Sequence, residues 1–104
     1  MPNEPVIAAA LLTNAVGLHA RPSVKLTQLA KSFAGTVEIA LDPAGPWLDA
    51  KSPVKVMRVK AGQGATLHVR AAGPDAAEAV AAVIALIERR FDEQEADAAG
   101  APHG

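Results

Sequence analysis

The chain has 104 residues with ten Lys or Arg, eleven Asp or Glu, and a net charge of −1. That length predicts one domain with a modest core, and two Phe, one Trp and no Tyr mean the core is built from aliphatic side chains. Without cysteine there is no disulfide framework and no thiolate zinc site, which suits a reducing compartment. No apolar run is long enough to span a membrane, and Met1-Pro2-Asn3-Glu4-Pro5 lacks the basic start of a signal peptide. A cytoplasmic location is expected.

In chain order, Val6–Thr13 reads as a strand and Ala20–Phe33 as a helix, with Val24, Leu26, Leu29, Ala30 and Phe33 at helical spacing. Thr36–Leu41 alternates as a strand, and the turn Asp42–Pro46 leads to a short strand at Trp47–Ala50. Pro53–Val59 is a short helix with Ser52 as N-cap and Pro53 at the first helical position. Ala65–Ala71 alternates as the last strand, with Leu67 and Val69 inward and Thr66, His68 and Arg70 outward. Asp75 is expected to cap a final helix, helped by Glu78, with Val80, Val83, Ile84, Ile87 and Phe91 as its apolar stripe. Asp92–Gly104 is rich in Ala, Gly and acids and is expected to be a disordered tail. The chain therefore divides into a domain over residues 1–91 and a tail over 92–104. No internal repeat is visible.

The order β-α-β-β-α-β-α predicts an α+β fold, a four-stranded, mostly antiparallel sheet with three helices on one face. The most informative stretch is Gly17-Leu18-His19-Ala20-Arg21-Pro22-Ser23. Gly17 permits a sharp turn, and Pro22 brings a fixed φ suited to the first helical turn. His19 then stands at a helix start, where open backbone N–H groups and the positive end of the dipole favour an anion. A histidine that only caps a helix is the plainer alternative. The strand–turn–helix context and the full heptad favour a nucleophilic imidazole with a phosphate cradle behind it. Arg21 suits that cradle because guanidinium bonds two phosphoryl oxygens at once. No group near His19 in sequence offers a general base to activate water against a phosphoryl group there. No other catalytic constellation accompanies His19, so a free-standing enzyme is not expected.

These residues resemble the active-site motif of the HPr family, the histidine phosphocarriers of the sugar phosphotransferase system. The resemblance runs from about Val6 to Phe91. It includes Leu26–Phe33, Ala50-Lys51-Ser52 with Val54, Val56 and Met57, and Gly62–Leu67. It implies an HPr-like open-faced β-sandwich and a carrier that needs no cofactor or metal. It implies that His19 accepts phosphate on Nδ1 from the phosphoenolpyruvate-dependent Enzyme I and passes it to a IIA-type domain, with Arg21 assisting. Ala20 and Arg21 would bind the phosphate, and Ala20, Pro53, Val54 and Met57 would form an apolar docking patch. General sugar uptake, a nitrogen-related chain and dihydroxyacetone-kinase phosphorylation all remain open as destinations. The carrier is expected to act as a monomer. A regulatory binding module working through the apolar patch is the alternative, and the retained His19 argues against it.

Charge is uneven: Arg21, Lys25, Lys31, Lys51, Lys55, Arg58 and Lys60 precede an acid-rich end. The basic residues are expected to rim His19 and to meet acidic proteins. Nucleic acid is disfavoured by the absence of a stacking platform and of overall positive charge. Ser52 matches a serine that a regulatory kinase phosphorylates in some branches of the family, but its capping role is expected to dominate. His68 and His103 are expected to be inert. Three departures from the family stand out: two prolines in the Asp42–Pro46 turn, Lys60 where glycine is common after the second helix, and Pro53 and Val54 where large apolar residues are typical, which leaves a smaller but still apolar docking patch.

Overall fold

Alternation of apolar and polar residues makes the strands, and the sheet they form is the frame of the domain. The computed structural model describes residues 5–15 and 17–92. Its elements are β1 (Val6–Leu11), α1 (Ala20–Lys31), β2 (Thr36–Ala40), β3 (Leu48–Asp49), α2 (Pro53–Arg58), β4 (Thr66–Ala72) and α3 (Ala76–Glu88). A short 3-10 turn at Arg90–Asp92 follows α3. The expected order of elements and the α+β class are as observed, and the tail from residue 93 onward, with His103, lies outside the described residues.

The sheet order is β1-β4-β2-β3, and every pairing is antiparallel. β4 runs through the middle, with Val69 opposite Ala8 on one side and Ile39 on the other. Leu67, Val69 and Ala71 turn inward and are buried, while Thr66, His68 and Arg70 face the open side. Leu26 of α1, Val56 of α2 and Val83 of α3 share one buried cluster with Leu67 and Val69. All three helices therefore cover the same face of the sheet. On the open face Arg70 Nε donates to Glu38 Oε1 at 2.7 Å, and its guanidinium lies 4.3 Å from the Trp47 ring centroid.

Several boundaries and contacts differ from expectation. β1 stops at Leu11: Leu12 N–H still donates to Ala65 O opposite it, but its carbonyl accepts from Gly64 N, both at 2.8 Å, while Ala65 N–H turns to Gly62 O. β3 is only Leu48–Asp49, and Leu41 falls outside β2; the Gly45–Pro46 peptide in the connecting turn is cis. Asp75 stands at the N-cap of α3 but makes no capping bond with its side chain. Its two oxygens instead accept the N–H groups of Ala34 at 2.9 Å and Gly35 at 3.3 Å, latching the α1–β2 turn. Phe91 is buried, yet it is not on the helical stripe. It is turned into the core by left-handed backbone at Arg90, Phe91 and Asp92, with φ of 58°, 57° and 62°.

Candidate functional site

The platform of the site is backbone, stitched from the β1–α1 loop and the α2–β4 turn. Leu18 N–H donates to Ala61 O at 2.9 Å, and Gln63 Nε2 donates to Thr13 O at 3.2 Å. Asn14 Nδ2 closes the loop on Gly17 O at 2.9 Å. Gly17 has φ of 59°, and a Cβ there would lie 2.4 Å from Ala61 O. Only glycine permits both that conformation and that approach. Lys60, across from it, also adopts a left-handed φ of 54°. Glycine would adopt this conformation freely, and lysine holds it at a cost of about 1–2 kcal/mol.

From this platform α1 departs with His19 as its N-cap residue, in extended backbone at φ −85° and ψ −172°. The imidazole makes no capping bond, so the ring stays exposed and unoccupied by its own helix. Ser23 N–H is already taken by His19 O at 2.9 Å, and Pro22 has no N–H. The open donors at this helix start are the amides of Ala20 and Arg21, which no group among the described residues engages. Pro22 and Ser23 are buried and fix the helix against the core, while Ser23 Oγ lies 3.5 Å from Leu18 O.

His19 opens onto a hollow of about 370 Å³ lined also by Leu18, Ala20, Met57, Lys60, Ala61 and Gly62. Arg21 faces an adjoining hollow with Ala20, Val24, Lys25 and Gln28. Ala20 borders both, so the two expected residues flank one ridge. Met57 joins His19, whereas Pro53 and Val54 lie exposed on α2 without lining either hollow. Val54 is 61% exposed and Met57 45% exposed, leaving an apolar surface beside the histidine. Ser52 caps α2 as expected, accepting from Lys55 N at 3.4 Å.

The expected basic rim is only partly present. Lys25 Nζ is tied to Phe91 O at 2.8 Å and Lys51 Nζ to Phe33 O at 2.7 Å, so both serve packing. Val24, at the helical spacing of Leu26, Leu29 and Ala30, is 44% exposed beside Arg21. A period of helical spacing does not mark where a helix rises past the edge of its neighbours. Among the described residues no three His, Cys, Asp or Glu side chains gather as metal ligands, and no helix is long and apolar enough to cross a membrane.

Comparison with known proteins agrees with this architecture. Residues 8–89 match the family model described as PTS HPr component phosphorylation site. Phosphocarrier protein HPr of Cupriavidus necator is 46% identical over 84 residues, covering 81% of this chain and 92% of that protein. Phosphocarrier protein NPr of Escherichia coli K12 is 39% identical over 82 residues, covering 79% and 90%. The crystal structure of HPr-C-His from Thermoanaerobacter tengcongensis superposes with a TM-score of 0.78 at 30% identity, covering 86% of this chain and 98% of that one. Sheet, helices and match together define a phosphocarrier protein. The chain belongs to the HPr family of the phosphotransferase system.

Proposed function

We propose that His19 is the phosphoryl acceptor of this carrier, loaded by Enzyme I from phosphoenolpyruvate. The observation that carries this is an exposed imidazole at the N-cap of α1, free of its own helix and next to two open amides. The lone pair of neutral His19 Nδ1 forms the new P–N bond as the donor–phosphorus bond breaks, and that electron pair leaves with the donor. The amides of Ala20 and Arg21, the positive end of α1 and the Arg21 guanidinium then meet the phosphoryl oxygens. The reverse displacement hands the group to a IIA-type or dihydroxyacetone-kinase-linked acceptor. Among the described residues no carboxylate lines either hollow, so none of them stands ready as a general base to direct water at the phosphorus.

On this reading the chain is a carrier and not a free-standing catalyst, and it works in the cytoplasm where its donor resides. It acts as a single copy, because the face around His19 must be open to donor and acceptor in turn. Ala20, Pro53, Val54 and Met57 supply that docking face, and the exposure of Val54 and Met57 favours it. The same apolar surface supports a second reading, a regulatory binding module that needs no phosphate. Incubation with phosphoenolpyruvate and a cognate Enzyme I separates the two. One acid-labile, base-stable phosphate on His19, lost in His19→Ala, is the expected result. Stable labelling of folded His19→Ala would falsify the assignment, and strong partner binding without any labelling would favour the module.

A further inference from the structure

Lys60 is the residue at this site that the family pattern does not account for. It lines the hollow that His19 opens onto, whereas Arg21 faces the adjoining one. The next residue, Ala61, is hydrogen-bonded through its carbonyl to the amide of Leu18, one residue before His19. Ala61 O and Gly62 Cα also sit against Gly17. The Lys60 backbone is therefore held at a fixed distance from the His19 backbone by main-chain contacts and not by adjustable side chains. Lys60 is exposed, and among the described residues no carboxylate pairs with it. Its left-handed φ of 54° disfavours a side chain there, and a strained conformation kept beside a reactive group is the pattern that invites a functional account.

We propose that the Lys60 ammonium is a second cationic ligand for the phosphoryl group on His19, reaching it from the α2–β4 turn within the hollow both residues line. This rests on His19 being the phosphoryl site. The group carried there is a small dianion, and an ammonium binds it as a point charge on a flexible stem. Phosphoryl transfer passes through a loose transition state with less charge on the transferred oxygens than the dianion carries. A cation held on those oxygens thus stabilises the loaded carrier more than it stabilises departure. Lys60 therefore lengthens the lifetime of phosphorylated His19 and lowers its tendency to give up phosphate. It makes this carrier a better store and a more selective donor, releasing phosphate when an acceptor draws Lys60 aside.

The test loads purified protein with phosphoramidate as a chemical donor, so that Enzyme I docking plays no part. Ammonia leaves as the P–N bond of phosphoramidate breaks and the P–N bond to His19 forms. Hydrolysis of the phosphohistidine and its phosphorus NMR titration are then followed in native protein, Lys60→Gly, Lys60→Asn and Lys60→Arg. Glycine and asparagine both tolerate the left-handed backbone, so neither variant tests the fold. Both are expected to hydrolyse about two- to five-fold faster, the range of an exposed ion pair. Their phosphoryl titration midpoint should rise by about 0.3–0.7 pH unit, because the dianion has lost its cation. Lys60→Arg should stay near native values. Lys60→Gly should also unfold at higher urea than native protein, so stability and phosphate lifetime move in opposite directions. Unchanged lifetime and midpoint in labelled Lys60→Gly and Lys60→Asn overturn the Lys60 proposal alone. Failure of phosphoramidate to label His19 overturns it together with the histidine assignment.

Discussion

Lys25 Nζ donates to the carbonyl oxygen of Phe91 at 2.8 Å, across 66 residues of chain. The bond ties α1, whose first turn carries Arg21, to the left-handed turn that closes α3. It holds that turn while the phenyl ring fills the core. Phe91→Ala should cost about 3–5 kcal/mol, since it empties a fully buried aromatic site. Lys25→Met keeps the apolar stem and loses only the hydrogen bond, so about 1 kcal/mol is expected. Urea unfolding of both variants checks this, and a Phe91→Ala loss below that of Lys25→Met would contradict the packing argument.

Asp75 gives the fold a defined acid sensitivity. The N–H of Ala34, with that of Gly35 and the charge of Lys51, holds its carboxyl below the ordinary value of 3.8, against partial burial that pushes it up. A depressed carboxyl contributes fully above its unfolded value and loses that contribution as pH falls through the folded one. Asp75→Asn should therefore be less stable than native protein at neutral pH, and the gap should narrow as pH falls below 3.8. Thermal unfolding from pH 7 downward measures it. A constant gap across that range would show that charge at Asp75 plays no part.

Local chemistry made most of the fold legible before any coordinates. The alternation at Leu67 and Val69, the Ser52-Pro53 helix start and the turn at Gly17 each concern residues a few positions apart. What sequence missed depends on distant partners. Asp75 looks like a helix cap because its true partners, Ala34 and Gly35, lie 41 and 40 residues away. Phe91 fits a helical period, yet it enters the core through three left-handed residues that no period describes. Lys25 and Lys51 read as surface charge, but each finds a backbone carbonyl in a distant turn, at Phe91 and Phe33. At the site, the helix-start histidine was legible from the heptad. The division into two hollows was not, because it depends on how closely the 60–62 turn approaches Gly17.

Ser52 carries the cap of α2, but its oxygen is 3.4 Å from Lys55 N, longer than a well-formed bond. Ser52→Ala should then cost about 0.5 kcal/mol, the low end of the capping range. Phosphate on Ser52 would sit at a helix start, which tolerates it, but beside Val54 and Met57, where it would repel an acidic partner. Pro53 follows Ser52 directly and changes the backbone a kinase must bind, so Ser52 is expected to remain unmodified. Efficient ATP-dependent labelling of Ser52 by a family kinase, seen by mass spectrometry, would sink that expectation.

Arg21 should matter to the transfer step more than to docking. Its side chain is exposed, and no carboxylate among the described residues holds it. The guanidinium is thus free to turn onto phosphoryl oxygens, and the charge it meets there changes as the P–N bond forms and breaks. Arg21→Ala should slow single-turnover phosphorylation about 10²-fold, comparable to removing one preorganised donor from a charged transition state. Its affinity for Enzyme I, measured by titration calorimetry, should fall no more than about five-fold, as for an exposed charge. Arg21→Lys should recover part of the rate, since an ammonium supplies charge without the planar fork. Lys60 lines the histidine's own hollow and acts mainly on the loaded carrier, so adding Lys60→Gly to Arg21→Ala should lower the loading rate by no more than about five-fold further. Equal losses of rate and affinity in Arg21→Ala would make Arg21 a docking residue and leave the helix start and Lys60 as the cradle.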